Sequence, residues 1–444
     1  MKFISTRAQK QGIKQCLTVS EAMQTGLAED GGLFVPELFP QIDWKNIDKT
    51  VSYPDFAKIA LAPYFKGDVL EKVLSQICDE CFTFDLPLVK LNKTTSVLEL
   101  FHGPTLSFKD FGARFLACCL SHLKRDKTMT IIVATSGDTG SAVAAAFHQK
   151  SNIRVVVMFP EGKISARQQS QITCWGDNVL AVSVDGTFDD CQALVKSAFT
   201  DSWWQNETQL NTSNSINIGR LLPQSTYYAY TSWKYYLEHG KVANFVVPSG
   251  NIGNVTAAFW AKQCGFPIGD IVVSQNANST LVSYLKTGKA PDQNTIETLA
   301  NAMDVGKPSN FERLQALFPD FEVFKSQVRA FEASDADISA EILKLYRESG
   351  YLACPHTATT FFAKDQLNMS ESAEKKHWVL ISTADPCKFE TVLEPIIQEK
   401  VSPTPALQAL LDKSGKFVKI KANMTSLYGE YERYFSDSKI HIKL

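Results

Sequence analysis

The sequence predicts an α/β protein built on open, mostly parallel sheets that are covered by helices. From about residue 130 onward, short apolar runs alternate with helical stretches, which is the order typical of parallel strands joined by helices. The runs are almost entirely apolar, as expected of strands that are buried on both faces. Such strands are predicted at residues 130–134, 153–159, 178–184, 244–248, 270–274 and 377–382.

Length and composition limit the possible functions. The 444 residues, 44% of them hydrophobic, are enough for two or three domains with substantial cores. Lys and Arg total 45 against 47 Asp and Glu, and a net charge of -2 provides no basic field for a nucleic acid. The first residues lack the apolar core of a secretion signal, and no apolar run is long enough to cross a bilayer. We therefore expect a cytoplasmic protein that acts on a small molecule.

The cysteines predict no metal site. Ten are scattered along the chain, as is usual for unpaired thiols in a reducing compartment. Cys78 and Cys81 have the spacing of a zinc ligand pair, but no second pair and no histidine cluster would complete four ligands. We expect both to be buried, inert thiols.

The chain divides into three parts. Residues 1–90 contain a predicted turn at 30–36 and a helix at 53–64, and they precede the alternating pattern, so we predict a separate N-terminal unit. Residues 91–400 form the core, with polar, proline-containing stretches at 288–335 that indicate an insertion. Residues 401–444 form a tail that packs on the core.

One lysine, Lys109, lies where a helix is predicted to begin. Ser107 and Asp110 have the spacing of a helix-capping pair, and apolar residues recur at helical spacing from Phe111 to Leu123. A lysine in the first turn lies at the positive end of the helix, which favours the uncharged amine that attacks carbonyl groups. The alternative is a surface lysine whose aliphatic stem covers an apolar helix. This window alone does not separate the two.

Three loops at the ends of predicted strands have the composition of ligand sites. Ligands of open α/β sheets bind at the carboxyl ends of strands. Residues 134–140 combine hydroxyls, glycines and a helix start, which suits a carboxylate. Residues 248–254 have glycines that let backbone N–H groups approach a phosphate; this loop matches neither a Walker nor a Rossmann motif, and the alternative is a tight turn before a helix. In the third loop, Ser382 and Thr383 offer uncharged hydroxyls, for which the alternative is a helix cap.

Taken together, these segments resemble the threonine synthases of the longer type found in many bacteria and fungi. That family belongs to the β-family (fold type II) of pyridoxal-phosphate enzymes, which share the tryptophan synthase β fold. The resemblance covers nearly the whole chain, with matching motifs at residues 1–7, 30–36, 101–111, 136–140, 214–220 and 249–254. The lysine motif and the order of the segments are specific, whereas one glycine loop alone would not be.

The resemblance implies a fold and a set of site residues. The cofactor would lie between a large and a small domain, with Lys109 bound to pyridoxal phosphate as a Schiff base. Thr383 would face the pyridine nitrogen, and Asp138 would approach the phenolic oxygen. The cofactor phosphate would be held by Gly250, Asn251, Ile252, Gly253 and Asn254. The substrate carboxylate would be received by Thr135, Ser136, Gly137 and Thr139. A carboxylate beside a phenolate is repulsive unless it is protonated or turned toward the helix amides.

The resemblance also implies a reaction. O-phospho-L-homoserine and water would become L-threonine and phosphate, with Lys109 as the proton shuttle, and a monomer or homodimer is expected. Lys163, Arg167 and Arg220 are candidates for the leaving phosphate because they follow or flank predicted loops. His102 and His356 are expected to be packed or hydrogen-bonded, and Cys354 stands where relatives often have an acid. The alternatives are a phospho-lyase that releases 2-oxobutanoate and ammonia, and a catalytically idle homologue that binds the cofactor.

Overall fold

A computed structural model of the chain describes residues 1–8, 16–292, 294–370 and 376–437. Within them the strands form a five-stranded sheet, a six-stranded sheet and a small antiparallel pair. The strands are β1 (Phe3–Ser5), β2 (Phe34–Pro36), β3 (Leu88–Lys90), β4 (Thr95–Glu99), β5 (Met129–Ala134), β6 (Ile153–Pro160), β7 (Val179–Asp185), β8 (Gln209–Asn211), β9 (Ala243–Pro248), β10 (Ile268–Gln275), β11 (Arg329–Glu332), β12 (Trp378–Ser382) and β13 (Val418–Lys421).

Helices surround these sheets. They are α1 (Val19–Thr25), α2 (Tyr53–Phe65), α3 (Leu74–Cys81), α4 (Lys109–His122), α5 (Asp138–Phe147), α6 (Ala166–Thr173), α7 (Phe188–Thr200), α8 (Ser202–Glu207), α9 (Ile218–Leu221), α10 (Gln224–His239), α11 (Gly253–Gln263), α12 (Thr280–Thr287), α13 (Phe311–Leu317), α14 (Phe321–Gln327), α15 (Asp335–Ser349), α16 (Pro355–Ser370), α17 (Glu390–Ile397), α18 (Pro405–Leu411) and α19 (Met424–Asp437). Short 3₁₀ turns occur at Trp44–Asn46, Glu71–Val73, Asn301–Met303 and Pro386–Phe389. None of the described helices combines the length and apolar character needed to cross a membrane.

The two large sheets are mostly parallel, as predicted. The five-stranded sheet has the order β13-β7-β6-β5-β8, and every neighbouring pair is parallel. The six-stranded sheet has the order β11-β10-β9-β12-β4-β3, in which only β3 runs antiparallel to its neighbour. All six predicted strands are present, as β5, β6, β7, β9, β10 and β12. The predicted α/β class is confirmed.

Strand β4 was not predicted, although it pairs with the central strand β12. It begins with Thr95 and Ser96, which are buried in the structure but read as polar in the sequence. Its burial is produced by its neighbours in the sheet and not by its own composition. Strands β8 and β13 lie at the edges of the five-stranded sheet, where short strands have weak sequence signals.

The N-terminal residues share a hydrophobic core with the rest of the chain. Helix α2 packs on α10, where the rings of Phe56 and Trp233 are 5.0 Å apart, and Tyr53 packs near Phe111 of α4 at 6.0 Å. In the predicted insertion, β11 extends the six-stranded sheet in parallel with β10. In the tail, α19 reaches the five-stranded sheet, and residues 438–444 lie outside the described part. The three-part division stays a prediction.

The carboxyl ends of strands from both large sheets meet on one side of the molecule. The segment that leaves β4 runs beside the end of β12, because Leu100 N donates to Ser382 O at 2.9 Å and Phe108 N donates to Thr383 O at 2.8 Å. The loop that leaves β5 starts α5, and the loop that leaves β9 starts α11. These loops are the ones in which the sequence predicts chemistry.

Candidate active site

Lys109 is the first residue of α4, as predicted, but the predicted cap is wrong. Ser107 does not cap the helix, and its buried hydroxyl has no hydrogen-bond partner among the described residues. The Asp110 carboxylate instead accepts from Thr105 N at 2.8 Å and Thr105 Oγ1 at 2.7 Å. Because Ser107 pairs through its backbone with Ala384, the chain before the helix is held by the loop after β12 rather than by a capping box.

The environment of Lys109 favours the free amine. Burial lowers its pKa to about 8, and the nearby charges of Lys388 and Arg220 act in the same direction, while Asp138 opposes them. The largest cause of this lowered pKa is loss of water around the amine, and not the helix end that the sequence indicated. A lysine with this pKa is partly uncharged near neutral pH, which an exposed lysine is not.

This pKa leads to a prediction for the protein without cofactor. The amine that attacks an aldehyde is the unprotonated form, so its reaction with pyridoxal phosphate should accelerate as the pH rises through about 8. We expect the rate of uptake, followed by the visible absorption of the bound cofactor between pH 6.5 and 10, to be half-maximal near that value. A midpoint near the ordinary value for lysine would contradict the desolvated environment.

Asp138, the first residue of α5, lies between two lysines. Its Oδ2 is 3.7 Å from Lys109 Nζ, and its Oδ1 is 2.7 Å from the fully buried Lys388 Nζ. Gln168 Nε2 also donates to Oδ1 at 3.2 Å. Burial on its own would raise the pKa of Asp138, but the charges of Lys388 and Lys109 outweigh it and hold the pKa below its ordinary value. The carboxylate is therefore ionised through a salt bridge that sequence reasoning missed.

Lys388 could not be recognised from the sequence. It lies in the 3₁₀ turn after the third loop, three residues beyond Asp385, and charged residues in such turns are usually exposed. The one feature of the sequence that could have indicated a role for Lys388 is its position shortly after Thr383 in the chain. Gln168 was missed for the same reason, because nothing in the pattern of α6 indicates that its side chain turns toward α5.

The loop between β5 and α5 is tightly braced. Thr135 Oγ1 accepts from Gly137 N at 3.0 Å and Gly140 N at 2.8 Å, so this hydroxyl shapes the loop. Gly137 has φ +142° and faces Gln168, whose Nε2 would be 2.5 Å from an added Cβ. Ser136 and Thr139 are the partly exposed hydroxyls of the loop. The loop thus presents a helix start and two hydroxyls, a combination that suits a carboxylate.

The loop between β9 and α11 is closely packed and contains free polar groups. A Cβ on Gly250 would lie 2.5 Å from Met303 Cα, and Ile252 adopts the left-handed conformation at φ +62°. Two buried polar atoms at this helix start, Ser249 Oγ and Asn254 Nδ2, have no partner among the described residues. Buried polar groups are normally paired, so these two donors are suited to bind the oxygens of an anion.

Other atoms of this loop are already paired within the protein. Asn251 Nδ2 donates to Ser215 Oγ at 2.5 Å, and its Oδ1 accepts from Ser309 N at 2.6 Å. Asn254 Oδ1 accepts from Tyr227 and Tyr228 at 2.5 and 2.8 Å. Gly253 begins α11 and faces Asn310, whose Nδ2 would be 3.2 Å from an added Cβ. The Asn251 side chain therefore holds the loop in place, and its own amide is not free.

The third loop lies against the start of α4. Thr383 is buried and its carbonyl accepts from Phe108 N, while the neighbouring Ser382 hydroxyl pairs with Thr357 at 3.0 Å. The cap of the following 3₁₀ turn is Asp385, which accepts from Cys387 N at 2.8 Å. The alternative interpretation of Ser382 and Thr383 as helix-capping residues is thereby excluded.

His102 and His356 each have a polar partner, as expected. His356 is buried, and its Nε2 accepts from Ala302 N at 3.1 Å. Burial lowers the pKa of His356 to about 4, and the charges of Lys109 and Lys388 favour the same neutral form while Asp138 opposes it. His102 is exposed and lies 2.8 Å from Glu99.

The three cations proposed for the leaving phosphate have different environments. Arg220 is buried close enough to lower the pKa of Lys109, and no described carboxylate lies within ion-pairing distance of it. Arg167 is committed elsewhere, because it donates to Val401 O at 3.0 Å and lies 3.4 Å from Glu390. Lys163 is exposed in the turn after β6. Of the three, only Arg220 is a buried cation beside Lys109.

In the described ranges, no group of three or more His, Cys, Asp or Glu side chains could hold a metal ion. Cys78 and Cys81 are buried free thiols of α3. Burial raises the pKa of Cys78 to about 12.

The residues around Lys109 provide a reactive amine, a carboxylate paired with Lys388, and loops that suit anions.

Comparison with known proteins identifies the family. The profile described as "Threonine synthase N terminus" matches residues 2–82, and that described as "Pyridoxal-phosphate dependent enzyme" matches residues 85–384. The threonine synthase of Haemophilus influenzae is 39% identical over 425 residues, which cover 95% of this chain and 97% of that protein. The chain belongs to the threonine synthases. As in that family, its cofactor is pyridoxal phosphate.

Solved threonine synthases share the whole fold. The Escherichia coli enzyme has a TM-score of 0.88 at 32% identity and covers 98% of this chain and 100% of its own. The pyridoxal-phosphate-bound threonine synthase of Brucella melitensis has the same TM-score at 31% identity and covers 99% and 100%. The predicted fold type II architecture with its threonine synthase N-terminal part is confirmed.

The residues present fit this cofactor. Lys109 offers a buried amine with a lowered pKa for the aldehyde. The loop before α11 and the first turn of that helix offer two unpaired donors, Ser249 Oγ and Asn254 Nδ2, and donors at a helix N-terminus are what a phosphate requires.

Proposed function

We propose that this chain converts O-phospho-L-homoserine and water to L-threonine and phosphate, with Lys109 binding pyridoxal phosphate as a Schiff base. The observation that carries the assignment of Lys109 is its buried amine, with a pKa of about 8, 3.7 Å from Asp138. In this proposal Gly250, Asn251, Ile252, Gly253 and Asn254 surround the cofactor phosphate. Thr383 faces the pyridine nitrogen, and Asp138 faces the phenolic oxygen.

The loop between β5 and α5 would bind the substrate carboxylate. Its support is the combination of a helix start with the partly exposed hydroxyls of Ser136 and Thr139. Gly137 and Thr135 shape the loop, the first by its φ of +142° and the second by two hydrogen bonds to backbone N–H groups. The carboxylate would thus be oriented by a preformed loop.

When bound, pyridoxal phosphate supplies an electron sink that stabilises negative charge on the substrate carbons next to the amino group. Lys109 Nζ accepts the α proton and returns a proton later in the cycle, for which a pKa near the working pH is suited. Phosphate leaves from the γ carbon and water adds at the β carbon. Asp138 and Lys388 are buried and the Lys109 side chain is 14% exposed, so little water reaches the reacting groups.

Arg220 is our candidate for the substrate phosphate. It is buried near Lys109, where its guanidinium donates to Ser213 O and the charge of Asp110 opposes the lowering of its pKa by burial. No described carboxylate forms an ion pair with it, and a buried cation is costly unless an anion binds beside it. The segment that carries it also contacts the glycine loop, through Ser215 and Asn251. Lys163 lies exposed in the turn after β6.

The test is incubation of the protein with O-phospho-L-homoserine and pyridoxal phosphate, with parallel assays of threonine, phosphate, 2-oxobutanoate and ammonia. We expect threonine and phosphate in equal amounts. Keto acid and ammonia in place of threonine would assign a phospho-lyase, and absence of any product despite bound cofactor would assign an idle homologue. A monomeric or homodimeric state stays a prediction.

A further inference from the structure

The carboxylate of Asp138 contacts two lysines, and one of them, Lys388, has no part in the proposed reaction. Lys388 Nζ contacts Asp138 Oδ1 at 2.7 Å and donates to Thr105 O at 2.8 Å. Its side chain is fully buried, and it lies in the 3₁₀ turn that follows Thr383. Two contacts at these distances fix the ammonium in one place.

We propose that Lys388 is a positioning residue that gives Asp138 a fixed positive partner, so that the carboxylate stays ionised and correctly oriented between Lys109 and the cofactor. The inference rests on the proposed placement of the cofactor beside Lys109 and Asp138. It removes the electrostatic difficulty of an acid at this position, since Lys388 balances the charge of Asp138 at the carboxylate oxygen that does not face Lys109.

The hydrogen bond from Lys388 Nζ to Thr105 O holds the ammonium group in a fixed position. Thr105 O, which accepts from Lys388, belongs to the loop braced by Asp110, because Thr105 also donates to that carboxylate through its N–H and its hydroxyl. The position of Lys388 is therefore set by the segment that leads to Lys109. The loop after β12, the loop before α4 and the start of α5 are joined at one ammonium group.

Removing the charge of Lys388 has a direct consequence for Lys109. The positive charge of Lys388 lowers the pKa of Lys109, and Asp138 raises it. Without Lys388, Lys109 would be the only lysine in contact with Asp138, and the protonated form of its amine would be favoured. The charge of Lys388 therefore offsets part of the effect of Asp138 on the pKa of Lys109 and favours the reactive, uncharged amine.

Other titratable or charged groups surround the pair. They are Asp110 of α4, Arg220 of α9, Cys354 just before α16 and His356 in that helix. Burial lowers the pKa of His356 to about 4 and raises that of Cys354, so both are neutral at pH 7 to 9. Lys109, with a pKa of about 8, changes charge within this range.

The experiment compares Lys388→Met, Lys388→Arg, Asp138→Asn and the double variant Lys388→Met/Asp138→Asn with the unaltered protein. Two midpoints are measured: the pH dependence of pyridoxal-phosphate uptake by the cofactor-free protein, and the pH titration of the visible band of the loaded protein. Lys388→Met should raise the uptake midpoint by about one pH unit, which slows uptake at pH 7.5 about tenfold. Asp138→Asn should lower it.

Lys388→Arg and the double variant test the role of charge. Both should have uptake midpoints near that of the unaltered protein, because the first keeps the cation and the second removes both charges. Melting temperatures measured on the same samples report structural damage separately. A Lys388→Met protein that melts earlier but keeps the original midpoints would overturn the proposal and leave Lys388 a structural residue.

If Lys388→Met does not fold, the double variant replaces it. A double variant that folds with the original midpoint supports the charge pairing, and one that is equally unstable or has a displaced midpoint overturns it. Failure of this inference is distinguishable from failure of the proposed function. The proposed function requires that the unaltered protein binds the cofactor covalently at Lys109, and this requirement does not depend on the result for the Lys388 variants.

Discussion

Lys109→Ala is expected to abolish covalent attachment of pyridoxal phosphate and to reduce turnover by about 10³-fold or more. Lys388, the other lysine beside Asp138, is not expected to replace it, because its amine is held by Asp138 and Thr105 O at 2.7 and 2.8 Å. The measurement is borohydride reduction of the loaded protein, followed by mass spectrometry of the labelled peptide, together with the threonine assay.

The matched control is Lys196→Ala, which removes an exposed lysine of α7. It should be labelled at Lys109 and should turn over like the unaltered protein. Label that persists at an unchanged level in Lys109→Ala would show that another amine binds the cofactor and that the site assignment is wrong. Label transferred to Lys388 would show that its ion pair with Asp138 is weaker than the buried geometry implies.

Gly250→Ala is the second large effect that we expect, as a loss of cofactor affinity of about 10- to 100-fold. The added Cβ would lie 2.5 Å from Met303 Cα and 2.7 Å from Met303 O, and neither backbone atom can move aside as a flexible side chain could. Overpacking of this kind costs about 1 to 3 kcal/mol, which corresponds to about one to two decades in a dissociation constant. The readout is the equilibrium dissociation constant of pyridoxal phosphate.

Gly429→Ala is a suitable control because it adds the same methyl group where no neighbouring atom lies within 4 Å of the new Cβ. Gly429 is an exposed residue of α19, so alanine should preserve cofactor affinity and stabilise the fold by about 0.5–1 kcal/mol. Equal cofactor affinity in Gly250→Ala and Gly429→Ala would show that the glycine loop tolerates displacement and does not determine phosphate binding.

The elements that could be predicted are those with a local signal. The predicted strands are almost entirely apolar, and the apolar spacing after Lys109 correctly placed it at a helix start. By contrast, β4 has a polar first half, and its position between β12 and β3 depends on pairing with residues far away in the chain. The predicted helix cap at Ser107 was also wrong. The Asp110 carboxylate accepts from Thr105 and not from a capping box with Ser107.

The candidate site shows the same limit. The loops at 134–140, 248–254 and 380–386 could be found because glycines and hydroxyls at strand ends have a local meaning. Arg167 was a reasonable phosphate candidate by its place in the chain, yet its guanidinium is used to hold the segment near Val401 and Glu390. A cation's partner is decided by the fold, because long side chains reach residues that sequence distance does not indicate.

The sequence by itself determined the α/β class, the family resemblance and the importance of Lys109, since all three depend on patterns within short windows and their order along the chain. Only the tertiary structure decided the state of Asp138. Its neighbours Lys109 and Lys388 are 279 positions apart in the chain, and they meet because the ends of β4, β5 and β12 converge. Burial and charge effects depend on which groups are close in space. The cause of the lowered pKa of Lys109 could therefore be assigned only from the tertiary structure.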